Sequence, residues 1–347
     1  MGYRTIVVGT DGSETATRAV DKAVRFAKEV DGTIVLVCAS APVGLTDDRA
    51  EAVLEAASDR VRRSEVAVDA VVREGAPEDV IPAVANERDA DLVVVGNVGM
   101  GKAKRLSLGP IPERVIKDSP ADVLLVQTQQ ERPVDPDRHG LYGRIVVGTD
   151  GSSTASEAAR KAYDLGMMLG VGVTLVYVAG DELLGAIALE RTQKAKPRAL
   201  GVETRVEHGE PAQQLAKVTA EQDDGLVVVG NKGMTGARKV LLGSVPLQVA
   251  HGAPGDVLIA KTVDRTIADL APGTGGLVNV GGRRLAVYKA EDDSIVALSP
   301  RCSHMGCTVD WNPADATWDC PCHGSRYAKD GDVIQGPSKA PLDPADA

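Results

Sequence analysis

Most cysteines and histidines of this 347-residue chain lie in one short window near its end. The window reads Cys302-Ser303-His304-Met305-Gly306-Cys307 and then Cys320-Pro321-Cys322-His323-Gly324-Ser325, and it holds four of the five cysteines and two of the five histidines. The pattern is C-x-H and then, after 15 residues, C-x-x-H. Two thiolates and two imidazoles on paired loops can hold a 2Fe–2S cluster, with sulfur on one iron and nitrogen on the other. The window therefore predicts one-electron chemistry.

A structural zinc site is the first alternative, because two cysteines and two histidines are also a common zinc ligand set. Zinc ligand pairs usually read C-x2–4-C and H-x3–5-H, whereas each pair here mixes one cysteine with one histidine. Zinc would also leave Cys307 and Cys322 without a role. A module held by disulfides alone is the second alternative, and it leaves both histidines without a role. The cluster accounts for more of these residues than either alternative.

With these motifs, the end of the chain resembles the Rieske iron–sulfur domain. The resemblance implies that Cys302 and Cys320 bind one iron of the cluster. It implies that His304 and His323 bind the other iron, with their second ring nitrogens near the surface.

The same resemblance assigns roles to residues around the four ligands. It implies a disulfide between Cys307 and Cys322 and a covering loop at Gly336-Pro337. It also implies that the hydroxyls of Ser325 and Tyr327 donate hydrogen bonds to sulfur, which raises the reduction potential by stabilising the added electron. We therefore expect a potential in the upper half of the range of about −150 to +300 mV that is known for centres with two histidine ligands.

The rest of the chain is a tandem repeat. RTIVVGTDGS at 4–13 recurs as RIVVGTDGS at 144–152, and LVVVGNVGM at 92–100 recurs as LVVVGNKGM at 226–234. The offset is 139 residues at the first motif and 134 at the second, so repeat two lacks five residues. The loss is predicted to fall after the second strand of repeat two.

Each repeat alternates short apolar runs with amphipathic stretches, which predicts an α/β fold with a doubly wound parallel sheet. A helix with Ser13 as its N-cap is expected after the first strand, because apolar residues from Ala16 to Ala27 follow helical spacing. Continuous apolar runs predict strands covered on both faces. In repeat one these runs are Ile6–Val8, Ile34–Val37, Val66–Val72, Leu92–Val95 and Val123–Val126.

Glycine-rich segments follow the fourth strand of both repeats. In repeat two the segment is Gly230-x2-Gly233-x9-Gly243-Ser244, and a helix is predicted to begin at Val245. Glycines let backbone N–H groups approach phosphate oxygens closely, and a helix N-terminus adds favourable partial charge. The pattern indicates a phosphate site, although a purely structural glycine loop remains the alternative.

Repeat one has the same glycine spacing but a different last residue. Gly96, Gly99 and Gly109 match the glycines of repeat two, whereas Pro110 stands in place of the serine. Proline lacks both a hydroxyl and a backbone N–H donor. Nucleotide binding is therefore expected to be weaker in repeat one.

Both repeats resemble the universal stress protein family in its ATP-binding subclass. The resemblance implies that Asp11 and Asp150, after the first strands, contact the adenosine part of ATP or ADP. It implies that Val178 packs against the adenine, and that the glycine loop with its serine holds the phosphates.

Composition and motifs together predict three domains: a universal stress protein-like domain at 1–128, a second at 141–262, and a small all-β Rieske domain at 268–347. A net charge of −10 and a pI near 5.1 argue against nucleic acid or an anionic membrane as the main partner. No apolar run of 18 residues is found, so we expect a soluble, cytoplasmic protein. The two repeats are expected to pair within the chain, and a homodimer is left open.

The predicted function is one-electron transfer or redox sensing coupled to nucleotide state, with a redox partner protein that the sequence does not identify. One alternative is an ATP-binding signalling module in which the cluster is structural or sensory. Another is the electron-entry component of a separate oxygenase or reductase. The chain itself is not expected to be a Rieske oxygenase, because no mononuclear iron site of two histidines and one carboxylate is recognisable. An electron-transfer component is thus favoured over an independent catalyst.

Overall fold

The computed structural model describes residues 3–41, 45–98, 108–128, 140–178, 181–193, 196–231, 244–261, 266–280 and 283–346. In this part of the chain, repeat one forms five strands and four helices. The strands are β1 (Thr5–Gly9), β2 (Thr33–Ser40), β3 (Val68–Glu74), β4 (Leu92–Gly96) and β5 (Asp122–Val126). The helices are α1 (Glu14–Val30), α2 (Asp47–Arg62), α3 (Pro77–Glu87) and α4 (Pro110–Asp118).

Repeat two forms the same succession of elements. Its strands are β6 (Arg144–Gly148), β7 (Val173–Val178), β8 (Val202–Glu207), β9 (Gly225–Gly230) and β10 (Val257–Ala260). Its helices are α5 (Ser153–Leu169), α6 (Glu182–Gln193), α7 (Pro211–Ala220) and α8 (Ser244–Gly252).

The ten strands form one sheet in the order β3-β2-β1-β4-β5-β10-β9-β6-β7-β8. Strand pairs within each repeat are parallel, and the repeats join where β5 and β10 pair antiparallel, with Leu124 opposite Leu258. Apolar side chains of alternate strand residues point to opposite faces, so separate clusters of buried residues cover the two faces of the sheet. The predicted α/β fold class is confirmed.

The first helix of each repeat begins where its sequence requires. The Ser13 hydroxyl accepts a hydrogen bond from Ala16 N at 3.2 Å, and the Ser152 hydroxyl accepts one from Ala155 N at 3.1 Å. Each side chain thereby satisfies an N–H group that has no partner inside the helix. The N-cap predicted at Ser13 is confirmed.

Two cross-repeat ion pairs hold the halves of the sheet together. Lys161 of repeat two donates to Asp122 of repeat one at 2.6 Å, and Lys22 of repeat one lies 3.0 Å from Asp256 of repeat two. The side chains of Lys161 and Asp122 are 1% and 0% exposed, and Asp122 also accepts from the Tyr3 hydroxyl. A buried charge needs a partner of opposite sign, so separating the repeats would leave Lys161 and Asp122 without theirs.

The C-terminal part is an all-β unit built of two antiparallel sheets. A 3-10 helix, η1 (Ile267–Asp269), precedes it. The first sheet contains β11 (Thr274–Val280), β12 (Arg283–Lys289) and β13 (Ile295–Leu298). The second contains β14 (Asp310–Asn312), β15 (Thr317–Asp319), β16 (Arg326–Tyr327) and β17 (Val333–Gln335). Its core includes the fully buried Trp318 and Tyr327.

Three local predictions can be compared with these elements. The loss in repeat two does fall between its second and third strands, because α6 has 12 residues where α2 has 16. The prediction that Val66–Val72 is a strand covered on both faces is wrong. Strand β3 begins at Val68 and forms an outer edge of the sheet, where Asp69 and Ala70 are exposed. Helix α8 begins at Ser244, one residue before the predicted start.

Among the described helices, none combines the length and the apolar character needed to cross a membrane.

Candidate metal centre and nucleotide clefts

Two turns of similar design carry the metal-binding motifs. In the turn between β13 and β14, Gly306 N donates to Cys302 O at 2.8 Å. In the turn between β15 and β16, Gly324 N donates to Cys320 O at 3.0 Å. Both glycines have positive φ, 84° and 68°, a conformation that glycine adopts without a steric penalty. Each turn therefore folds its cysteine back over the residues that follow it.

The four proposed cluster ligands lie at the tips of these turns, with sulfur inside and nitrogen outside. Cys302 and Cys320 are 2% and 3% exposed. His304 and His323 are exposed, and their ring centroids are 5.0 Å apart with perpendicular planes. The two thiols belong to the core of the domain, whereas the two imidazoles face the surface, where their second ring nitrogens were expected. The arrangement fits a centre with one sulfur-bound and one nitrogen-bound iron.

The surroundings of the two buried thiols favour a thiolate. Hydrogen bonds from the Cys320 thiol and the Tyr327 hydroxyl lower the pKa of Cys302 to about 5, against the opposing effect of burial. Donating to Cys302 raises the pKa of Cys320, and burial adds to this rise. Backbone N–H groups of Cys322 and His323 favour the anionic form of Cys320. Metal-binding cysteines must be deprotonated. Hydroxyl groups face Cys302 and backbone N–H groups face both sulfurs, and these donors would stabilise two thiolates around a cluster.

A disulfide joins the two turns. It links Cys307 to Cys322, whose Cα atoms are 6.6 Å apart. Cys307 is fully buried, whereas Cys322 is half-buried. The covalent link holds the two ligand-bearing turns beside each other.

The two hydroxyls expected near sulfur lie in that position. The Tyr327 oxygen is 3.0 Å from Cys302 Sγ and 3.2 Å from Ser303 Oγ, and it accepts from Ser303 N at 3.2 Å. Toward a thiolate, which has no proton to give, the hydroxyl is the donor. The Ser325 hydroxyl accepts from Ser338 N at 3.2 Å and also hydrogen-bonds to Cys302. Both side chains are fully buried, so water does not compete for these bonds.

The loop at Gly336-Pro337 lies directly against the second turn. A Cβ atom on Gly336 would be 2.5 Å from Ser325 Cα, and the φ of Gly336 is 103°. Glycine is therefore required for this close approach. The following Ser338 contacts Ser303 in the first turn, a link that the sequence did not predict.

Helix α5 of repeat two contacts the first turn next to the disulfide. Arg160 donates to the Thr308 hydroxyl at 2.6 Å, and Thr308 N donates to Asp164 at 3.2 Å. The side chains of Arg160 and Asp164 are 12% and 3% exposed. Burial lowers the pKa of Arg160, and the charge of Asp164 opposes that shift. An ion pair between Arg284 and Glu157 joins the same helix to β12.

The charges on α5 are reversed relative to its counterpart α1. Glu157, Arg160 and Asp164 correspond to arginine, aspartate and arginine in repeat one, which are Arg18, Asp21 and Arg25. Those residues make other contacts: Arg18 with Glu14, Asp21 with Arg60, and Arg25 with Gly140 O. The reversal was visible in the sequence, but its meaning depends on the position of the third domain. On α5 these charges contact Thr308 and Arg284 of the C-terminal domain.

Each predicted nucleotide cleft is partly described. The carboxylate of Asp11 accepts from Ser13 N, and that of Asp150 accepts from Ser152 N, both at 2.9 Å. Each aspartate thus shapes the loop between the first strand and the first helix of its repeat. Val178 ends β7 and is half-buried, close to the edge where this loop lies.

The glycines after the fourth strands are sterically constrained where they are described. A Cβ atom on Gly230 would be 2.8 Å from Thr154 Cγ2, and one on Gly96 would be 3.3 Å from Thr128 Cγ2. Gly109 is the N-cap of α4, and its N–H donates to Asn97 O at 2.8 Å. The predicted residues Gly99, Gly233 and Gly243 lie outside the described residues.

The first residues of the two phosphate-site helices differ. Pro110 is the first residue of α4, whereas Ser244 and Val245 begin α8. In repeat one, Asp11 and Gly96 line an open cleft of about 80 Å³ between described residues.

Models of two families match the chain. The universal stress protein family matches residues 2–127 and 141–261, and the Rieske [2Fe-2S] domain matches residues 261–345. Solved structures support the fold of the first part. A universal stress protein from Archaeoglobus fulgidus DSM 4304 superposes with a TM-score of 0.60 at 19% identity, covering 75% of this chain and 99% of that one.

Curated relatives match the two parts separately. The chain is 36% identical over 144 residues to universal stress protein Rv1636 of Mycobacterium tuberculosis, covering 36% of this chain and 97% of that protein. It is 35% identical over 122 residues to cytochrome b6-f complex iron-sulfur subunit 3 of a Nostoc species, covering 34% of this chain and 68% of the subunit. It is 42% identical over 79 residues to a Bacillus subtilis protein described as a Rieske 2Fe-2S iron-sulfur protein, but spans just 16% of that protein's length and 23% of its own.

Proposed function

Because the chain belongs to the universal stress protein family and ends in a Rieske [2Fe-2S] domain, we propose that it transfers or senses single electrons in a way that depends on bound adenine nucleotide. In this proposal, nucleotide bound by the stress protein repeats alters the electron chemistry of the Rieske domain. Its location is proposed to be the cytoplasm, where adenine nucleotides are available.

The observation that carries the proposal is the position of α5. Its N-cap Ser152 donates to Asp150 in the proposed nucleotide loop, and Arg160 and Asp164 on the same helix hold Thr308 beside the cluster turn. Eight residues of helix span about 12 Å along its axis. One helix thus contacts both proposed sites, which supports the proposal by offering a contiguous route for coupling.

The proposed cluster ligands are Cys302 and Cys320 on one iron and His304 and His323 on the other. Such a centre supplies reversible one-electron chemistry. Residues around the proposed cluster set its reduction potential, because the Tyr327 hydroxyl stabilises negative charge on sulfur through its hydrogen bond.

The proposed nucleotide is ATP or ADP, and repeat two is the proposed principal site. Ser244 offers a hydroxyl and a backbone N–H at the start of α8, whereas Pro110 offers neither at the start of α4. Helix N-termini attract phosphate through their partial positive charge. The glycines around each site give the nucleotide room near the backbone.

The test is a redox titration of the purified, cluster-loaded full chain, monitored by EPR with and without saturating ATP. ATP should shift the midpoint potential, and Gly233→Val should remove the shift by preventing nucleotide binding. Coupling is reciprocal, so a 59 mV shift corresponds to about a tenfold change in ATP affinity between the oxidised and reduced protein. A potential that is equal in both samples, while calorimetry detects bound ATP, refutes the coupling.

The variant Asp164→Asn distinguishes ATP binding from the proposed coupling of ATP to the cluster through α5. It removes a charge from the contact with Thr308 but leaves the nucleotide loop unchanged. We expect ATP to bind this variant normally and to shift the potential less than in the wild type. An unchanged shift would mean that α5 does not carry the coupling.

A second candidate function is electron delivery to a separate oxygenase or reductase. The exposure of both imidazole ligands favours it, because a partner protein could approach them directly. Turnover of such a partner with this chain as the reductant, at a rate independent of ATP, would favour this candidate over the nucleotide-dependent device.

A further inference from the structure

A cavity of about 410 Å³ lies between α1 and α2 of repeat one. Its walls are apolar and built from small side chains, and two arginines stand among its lining residues. The residues used below are Val20, Val53, Ala56, Ala57, Arg49 and Arg60. Small-molecule sites typically measure about 300–1,000 Å³, so the cavity is large enough to hold a ligand.

Repeat two fills the equivalent space with its own side chains. Gly12 faces Val53 as Gly151 faces Ala188, so Ala56 and Ala57 correspond to Arg191 and Thr192. Arg191 donates to Gly151 O at 3.3 Å, and the Thr192 hydroxyl lies 2.9 Å from that of Thr149. The two alanines of repeat one leave this volume open. The cavity is therefore a difference in side-chain size between two otherwise similar helix pairs.

Two positive charges accompany the apolar walls. Arg60 is oriented by Asp21, whose oxygens lie 3.0 and 3.1 Å from its Nη1, and its side chain remains 52% exposed. Arg49 is exposed and makes no ion pair within the described part of the chain. Guanidinium groups bind carboxylate and phosphate oxygens in a bidentate manner. The combination fits an anion with an apolar body.

The cavity is distinct from the proposed nucleotide cleft. The cleft lies on the side of the sheet where Ile81 and Val95 line it, whereas the cavity lies between the helices of the opposite layer. Thr10 lines both, and its hydroxyl accepts from Gly12 N at 3.3 Å. A ligand in the cavity therefore touches the loop that carries Asp11 from the side opposite the cleft.

We propose that this cavity binds a small amphipathic anion, in which a carboxylate or phosphate monoester head meets Arg49 and Arg60 and an alkyl chain packs on Val20, Val53 and Ala57. The site is independent of the proposed redox function. It is confined to repeat one, because side chains of repeat two occupy the corresponding volume.

The test is isothermal calorimetry on the full chain with decanoate and decyl phosphate, each below its micelle concentration. Decyltrimethylammonium is the matched control, since it has the same alkyl chain and a cationic head. We expect binding of one equivalent of at least one anion and at least tenfold weaker binding of the cation. The tighter anion identifies the preferred head group. Equal binding of the cation, or no binding of either anion, overturns the proposal.

Variants locate the site. Ala56→Arg combined with Ala57→Thr copies repeat two and should abolish anion binding, and Arg49→Gln should weaken it at least tenfold. Arg62→Gln is the control on the same helix, because Arg62 pairs with Asp59 and does not line the cavity. Thermal unfolding by circular dichroism verifies that each variant folds. Unchanged binding in the folded double variant overturns the assignment to this cavity.

Discussion

Tyr327→Phe removes one hydrogen bond to a proposed sulfur ligand and should lower the midpoint potential. The hydroxyl lies 3.0 Å from Cys302 Sγ, and a sulfur that binds iron as a thiolate can only accept from it. Reduction adds negative charge, so a donor to sulfur stabilises the reduced form more than the oxidised form. The side chain is fully buried, and no water can replace the lost donor.

The magnitude follows from the net value of one hydrogen bond. A difference of about 1 kcal/mol between the two oxidation states corresponds to roughly 40 mV, since 59 mV is a tenfold change in a one-electron couple. Protein-film voltammetry on the cluster-loaded wild type and variant measures this difference directly. The predicted result is a potential lower by roughly 40 mV with unchanged cluster content.

Tyr288→Phe is the matched control. Tyr288 is 9% exposed in the same domain, and its hydroxyl contacts Lys329 Nζ at 3.4 Å. Its loss removes a phenolic hydroxyl without touching a proposed ligand, so the potential should stay within a few millivolts of the wild type. A Tyr327→Phe potential equal to or above that of the wild type would refute the reasoning.

Three further outcomes are expected. Cys320→Ala should abolish acid-labile sulfide and the EPR signal of the reduced protein; stoichiometric zinc without sulfide in anaerobically purified wild type would contradict the cluster. By calorimetry, ATP should bind repeat two roughly ten- to a hundredfold more tightly than repeat one, because one lost hydrogen bond to charged phosphate is worth about 1.5–3 kcal/mol. Gly233→Val should therefore remove most of the ATP binding. An equal loss of binding with Gly99→Val would disprove the difference between the repeats. Burial raises the pKa of Asp91 from 3.8 to about 6. The protonated side chain therefore stabilises the fold below its unfolded-state pKa, and this contribution is lost as pH rises through about 6. In urea unfolding, the wild type should lose stability relative to Asp91→Asn over this window, and parallel stability curves would contradict the shift.

Local sequence signals predicted the elements that depend on local chemistry. The start of α1 followed from Ser13, because an N-cap is decided by residues within one turn. The exposed edge at β3 could not be read from Val66–Val72, since edge position depends on which strands pair over long distances. An apolar run looks the same in a central strand and in an edge strand.

At the candidate site, too, features encoded by a local motif were predicted, and features that depend on domain packing were not. The types and spacing of its cysteines and histidines predicted the proposed ligands, and the structure brings all four to the tips of two turns. The hydrogen bonds of Arg160 and Asp164 with Thr308 were not predicted, because they join residues more than 140 positions apart. Contacts of that kind follow from domain packing and not from a motif.

The antiparallel pairing of β5 with β10 fixes the ratio of domains in the molecule, because it joins two repeats for each Rieske domain. In this sheet the edges of the two repeats that face each other are consumed inside one chain, so their association is intramolecular and does not weaken on dilution. A covalent pair also lets its halves diverge, as the reversed charges on α1 and α5 illustrate. Two repeats thus share one Rieske domain, which contacts repeat two through α5 and repeat one through the ion pair of Arg4 with Asp319.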